Sequence, residues 1–146
     1  MGQEDRLKAV IIYNSLTGTT ERAAHRIASE VRALRIDATP VAIGDVDEEA
    51  VAEADLVIVG TWTDGIVILG QKPAGAKKLR RLPRLDGKRA VVYCTYAVDP
   101  GQTLDKLVDL VSGLGADVIG GFALARHQLD EDVSEFVDRL TPELAV

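Results

Sequence analysis

The chain is short of the residues that build disulfides, metal centres and membrane spans. Its 146 residues include one cysteine, Cys94, and two histidines, His25 and His127. A single thiol excludes an internal disulfide and suits a reducing compartment, so a cytoplasmic location is expected. Two histidines far apart in sequence, with one cysteine, do not compose a metal site. Aromatics are scarce as well: three tyrosines, two phenylalanines and one tryptophan. Any of them outside a core pattern therefore carries weight. No apolar run nears the roughly 20 residues that cross a bilayer, which predicts no membrane span. The opening MGQEDRLK passes from polar residues straight into a strand-like run, unlike a secretory signal. Arg6 stands where a myristoylation signal wants Ser or Thr.

What is present is the composition of one soluble globular domain over 1–146, with 47% hydrophobic and 27% charged residues. Net charge is −6, unevenly spread. The segment Lys72 to Arg89 holds eight basic residues (Lys72, Lys77, Lys78, Arg80, Arg81, Arg84, Lys88 and Arg89) against Asp86 alone. An acidic body with one basic segment is unsuited to broad nucleic-acid binding but can orient a charged partner.

Two kinds of segment alternate along the chain. Branched apolar runs at Leu7–Tyr13, Ala54–Gly60, Arg89–Thr95 and Asp117–Phe122, and a weaker one at Ile36–Ala42, predict strands buried on both faces of a parallel sheet. Helical spacing marks Thr20–Leu34, Thr103–Leu114 and Glu131–Leu140, with shorter candidates at Asp47–Glu53 and Ala76–Leu82. Strands alternating with helices predict an α/β sandwich of three layers.

In an open parallel sheet, ligands settle beyond the carboxyl ends of strands, where strand order reverses. After the first strand comes Asn14-Ser15-Leu16-Thr17-Gly18-Thr19-Thr20. After the third comes Thr61-Trp62-Thr63-Asp64-Gly65, and after the fourth Tyr96-Ala97-Val98-Asp99-Pro100-Gly101. The first stretch leads into a helix N-terminus, whose unpaired amides and positive dipole end attract anions. Ser15, Thr17, Thr19 and Thr20 add hydroxyls, and Gly18 permits close backbone approach. No lysine follows, so neither a triphosphate loop nor GxGxxG is present. Hydroxyls and amides without a metal suit a single terminal phosphate; the plainer alternative is a Thr19 or Thr20 helix cap.

The stretch from Ile11 through Ile27, IIYNSLTGTTERAAHRI, resembles the flavodoxin family, matching every specified position of that family's N-terminal FMN-phosphate signature. The resemblance implies a flavodoxin-like fold, a five-stranded parallel sheet of order 2-1-3-4-5 with helices on both faces, and FMN as cofactor; flavodoxin is itself the standard example of that strand order. It places Ser15, Thr17, Gly18, Thr19 and Thr20 around the phosphate. It likens Thr61-Trp62-Thr63-Asp64 to the family's Ser/Thr-Trp-Gly-Asp, with Trp62 stacked on the isoalloxazine and Gly65 beyond. Thr95, Tyr96 and Ala97 would reach the ring edge through backbone groups, with Tyr96 either flanking the flavin or packing. Thr63 departs from the family, standing where many members carry the glycine whose peptide turns toward the reduced flavin. A β-branched residue resists positive φ, so that turn is expected to be lost or to pass to Gly65.

Two functions compete. One is a redox carrier between a reductase and an acceptor protein, docking through Ile66-Val67-Ile68-Leu69 and the basic segment Lys72-Arg89. The other is an FMN-dependent oxidoreductase of the same fold, an NAD(P)H–quinone reductase or porphyrinogen-oxidising type, with Lys77, Lys78, Arg80 and Arg81 holding an anionic substrate. Against both stands the bland reading, in which those four cations are the solvated face of a short helix buried through Leu79 and Leu82. Cys94 is expected to pack rather than react.

Overall fold

In a computed structural model, which describes residues 6–65 and 70–144, the branched apolar runs form parallel strands β1 (Lys8–Tyr13), β2 (Asp37–Ala42), β3 (Leu56–Asp64), β5 (Arg89–Tyr96) and β6 (Asp117–Ala125). Their order across the sheet is β2-β1-β3-β5-β6, which is 2-1-3-4-5 counted over the parallel strands alone. A sixth strand, β4 (Lys72–Pro73), pairs antiparallel with the end of β3, an element the periodicity did not predict. The helices are α1 (Thr19–Ala33), α2 (Glu48–Glu53), α3 (Ala76–Arg80), α4 (Thr103–Gly113) and α5 (Leu129–Leu144).

Successive side chains of a strand point to opposite faces, and here both faces are covered. Ala9, Ile11, Leu56, Ile58, Val91 and Tyr93 pack with Ile27 and Val31 of α1 and Phe136 and Val137 of α5. Their neighbours Val10, Ile12, Val57, Val59, Ala90 and Val92 pack with Val51 of α2, Leu79 of α3, and Leu107 and Val111 of α4. Double coverage is why these strands read as continuous apolar runs. Pro40 lies in β2, an edge strand, where its missing N–H leaves no central ladder unfilled.

Three strands run longer than their apolar cores. β3 continues to Asp64, β5 to Tyr96 and β6 to Ala125. Thr61 and Trp62 pair with Cys94 and Thr95 of β5, and Thr63 and Asp64 with Pro73 and Lys72 of β4. Residues 61–64 therefore belong to the sheet rather than to a loop beyond it, because pairing, not hydrophobicity, sets where a strand stops.

The basic segment divides. Lys88 Nζ donates to the carbonyls of Ala52 and Ala54, Arg84 pairs with Asp86 and donates to Gly113 O, and Arg89 donates to Glu143 O. These three tie chain turns together. Lys77, Lys78, Arg80 and Arg81 are exposed, while Leu79 and Leu82 are buried, as the solvated-face reading expects.

Candidate functional site

The turn between β1 and α1 is built on Ser15 and Gly18. Gly18 adopts φ 96°, a left-handed conformation favouring glycine, and caps α1 without a side-chain hydrogen bond. Ser15 Oγ accepts from the amides of Gly18 and Glu21, each at 3.2 Å. Neither threonine takes the capping role. Thr20 is buried, and its Oγ1 lies 2.8 Å from Thr95 Oγ1 on β5. The turn thus holds amide donors and hydroxyls at the positive end of a 15-residue helix.

Asn14 joins this turn to its neighbour. Its N–H donates to Gly60 O, and Nδ2 donates to Thr61 Oγ1 and Ala74 O. Thr61 is fully buried, with its hydroxyl donating to Ala74 O at 2.7 Å; its role here is to fasten β4. Gly75 has φ 69° and lies so close to Asn14 that an added Cβ would collide with its amide, so the chain needs glycine there.

A cleft of about 210 Å³ opens over these strand ends, lined by Ser15, Leu16, Thr17, Thr19, Thr20, Trp62, Thr63, Thr95, Tyr96, Ala97 and Arg126. Of the residues singled out in the sequence, Gly18, Thr61, Asp64 and Gly65 are not among its walls. Trp62 and Tyr96 are each half-buried, so the tryptophan is not folded into the core. Thr63 Oγ1 is buried beside the Cys94 thiol and, among the described residues, has no hydrogen-bond partner of normal geometry. Thr63 keeps strand pairing with Pro73, whereas Gly65 takes φ 92° and its amide donates to Asp64 Oδ1. The segment Ile66-Leu69, expected to dock a partner, lies outside the described residues.

Burial pushes the Cys94 thiol up to about 12, with the Thr63 hydroxyl acting weakly in the opposite direction. A thiol so placed packs and does not react. Tyr96 is raised above the ordinary tyrosine value, first by partial burial and then by nearby groups, among them the carboxylates of Asp132 and Asp99. Tyr13 is raised by partial burial and by Glu21, whose carboxylate accepts from its hydroxyl at 3.3 Å. Both phenols remain neutral donors near neutral pH.

Sequence reasoning missed Arg126. It follows β6, and its side chain reaches the cleft wall formed by Thr17. The only sequence signal was its place beyond a strand's carboxyl end, the rule that selected the other three stretches. By contrast, none of Lys77, Lys78, Arg80 and Arg81 lines the cleft.

The arrangement has a donor-rich end and an aromatic end. It suits a ligand with an anionic head and a flat ring. Hydroxyl-lined helix N-terminus, flanking aromatics and strand reversal at β1/β3 all fit a phosphorylated flavin. Comparison with known proteins agrees. Residues 11–139 match the family model described as Flavodoxin. The flavodoxin of Megasphaera elsdenii is 29% identical over 110 residues, spanning 75% of this chain and 80% of that protein. The solution structure of its two-electron reduced form superposes with a TM-score of 0.68 at 25% identity, covering 87% of this chain and 93% of that one. The crystal structure of an oxidised flavodoxin from Bacillus cereus shares the fold, with a TM-score of 0.69 at 23% identity over 90% of this chain and 93% of that one. The chain belongs to the flavodoxin family of FMN-binding electron-transfer proteins.

Proposed function

We propose that the chain is a one-domain carrier that takes electrons from a reductase and delivers them to an acceptor protein. One observation carries this reading: the ends of β1, β3 and β5 bring a hydroxyl-lined helix N-terminus and two half-buried aromatics into a single cleft. Ser15, Thr17, Thr19 and Thr20, with the amides that follow Gly18, hold the phosphate. Trp62 and Tyr96 flank the ring, and the backbone of Thr95 and Ala97 meets its edge. Asp64 and Gly65 shape the turn that leaves β3. FMN, when bound, supplies the electron-transfer chemistry, while the protein positions it and sets its electrostatic surroundings.

Leu16 and Val98 support a protein partner. They are 72% and 86% exposed on two stretches that border the cleft. Apolar side chains held in solvent beside a redox site suit a small, transient interface. Lys72, Lys77, Lys78, Arg80 and Arg81 give the adjoining surface a positive charge that would orient an acidic partner. The oxidoreductase alternative asks for those cations beside the flavin, and their position outside the cleft favours the carrier.

Reconstitution followed by two assays tests the proposal. The apoprotein should bind FMN stoichiometrically, with flavin absorbance shifted on binding. The loaded protein should exchange electrons with a flavodoxin reductase yet show no saturable NAD(P)H–quinone turnover by itself. Fast, saturable turnover would overturn the carrier reading.

A further inference from the structure

We propose that Arg126 is a cationic arm for the phosphate of the cofactor, giving FMN binding a charge-dependent component that the unphosphorylated flavin lacks. The inference rests on the phosphate reading of the β1–α1 turn and adds a residue from the opposite end of the chain. The backbone that bears Arg126 is anchored. Asp132, only 6% exposed, accepts from Ala125 N–H at 2.7 Å and from Gln128 Nε2 at 2.8 Å. The arginine therefore starts from a fixed point at the carboxyl end of β6.

Its side chain bridges 109 residues of sequence to reach the turn. Nη2 stands 3.5 Å from Thr17 Oγ1, longer than the ~2.7–2.9 Å of a charge-assisted hydrogen bond. That contact leaves the guanidinium free to engage an anion. Among the described residues Arg126 forms no ion pair, and Asp130, the acid four positions on, lies 4.0 Å from Arg26 instead. Arg126 lines the same cleft as Ser15, Thr17, Thr19 and Thr20. Outside the basic segment the chain carries nine basic residues against 22 acidic ones. A dianion approaching such a body is repelled, and a fork of N–H donors at the turn offsets that repulsion where the phosphate arrives.

Fluorescence-quenching titrations of the apoprotein with FMN and with riboflavin, at low and high ionic strength, provide the test. Wild type should prefer FMN, and that preference should shrink as salt rises. Arg126→Gln should weaken FMN about tenfold at low salt, the loss expected for one charged hydrogen-bond partner. Its riboflavin affinity should stay unchanged and its salt dependence should flatten. Arg126→Glu should weaken FMN further, and Arg126→Lys should retain part of the affinity. Because Arg126 is exposed, the urea midpoint of each apo variant should match wild type. Equal losses for both flavins would assign Arg126 a structural role, and unchanged FMN affinity would remove it from the site; either overturns the proposal. A wild type that binds riboflavin as tightly as FMN would instead refute the phosphate reading beneath it.

Discussion

Thr20 Oγ1 and Thr95 Oγ1 lie 2.8 Å apart in a buried contact that joins the β1–α1 turn to the end of β5 across 75 residues. Only one of the two hydroxyls donates to the other, so the remaining hydroxyl hydrogen is free for a ligand in the cleft. Replacing either threonine with valine strands its partner and should cost about 1–3 kcal/mol of stability. The double variant should cost less than the sum, since no polar atom is then left alone. Urea denaturation of the apoprotein measures both. Thr20→Val combined with Ser15→Ala should weaken FMN binding by several kcal/mol at about 1.5–3 per lost phosphate contact; unchanged affinity would remove these residues from the phosphate site.

Gly60 is made necessary by Tyr93. A Cβ at position 60 would sit 1.9 Å from the Tyr93 ring, which is fully buried, with its hydroxyl donating to Thr20 O at 3.0 Å. Gly60→Ala should destabilise the fold by about 1–3 kcal/mol or more through overpacking. Tyr93→Phe keeps the ring and loses one hydrogen bond, so it should cost only about 0.5–1.5 kcal/mol. If Gly60→Ala melts with wild type, the packing relationship is wrong.

Cys94 sets a pH dependence with a definite sign. Burial raises its pKa from 9.0 to about 12, so the fold favours the neutral thiol. Its stabilising contribution is complete below pH 9 and declines as pH rises toward 12, by at most about 1.4 kcal/mol per pH unit. Tyr93, also raised by burial, adds its own decline above its ordinary value of 10.0. Cys94→Ala should therefore flatten the loss of stability between about pH 9 and 10. Native protein should resist a thiol reagent that labels it promptly in urea. Prompt labelling of folded protein would contradict the burial.

The exposed cations of α3 and its C-cap Arg81 should affect encounter rather than folding. Reversing Lys77, Lys78, Arg80 and Arg81 to glutamate should change stability little, each exposed site contributing within about 0.5 kcal/mol. The rate of electron transfer with a protein partner, and its dependence on salt, should both change. Stopped-flow kinetics over a range of ionic strengths would read this, and identical curves would leave the face merely solvated.

The amino-acid sequence by itself determined the sheet, the helices and the hydroxyl turn, because each is governed by near neighbours. Strands covered on both faces must be apolar at every position, as Val10 to Ile12 and Val57 to Val59 are. Asn14 to Thr20 must likewise supply its own donors where β1 hands over to α1. Tertiary structure alone decided what depends on distant pairing. Residues 61–64, three of them polar, became strand only because β4 and β5 lay alongside them, and Thr20 surrendered its hydroxyl to Thr95 instead of capping its helix. Three of the eight basic residues, Arg84, Lys88 and Arg89, turned into ties for backbone carbonyls. Arg126 entered the cleft because strand order set the end of β6 within reach of Thr17, and a side chain's reach across a sheet leaves no period or spacing in the chain that encodes it.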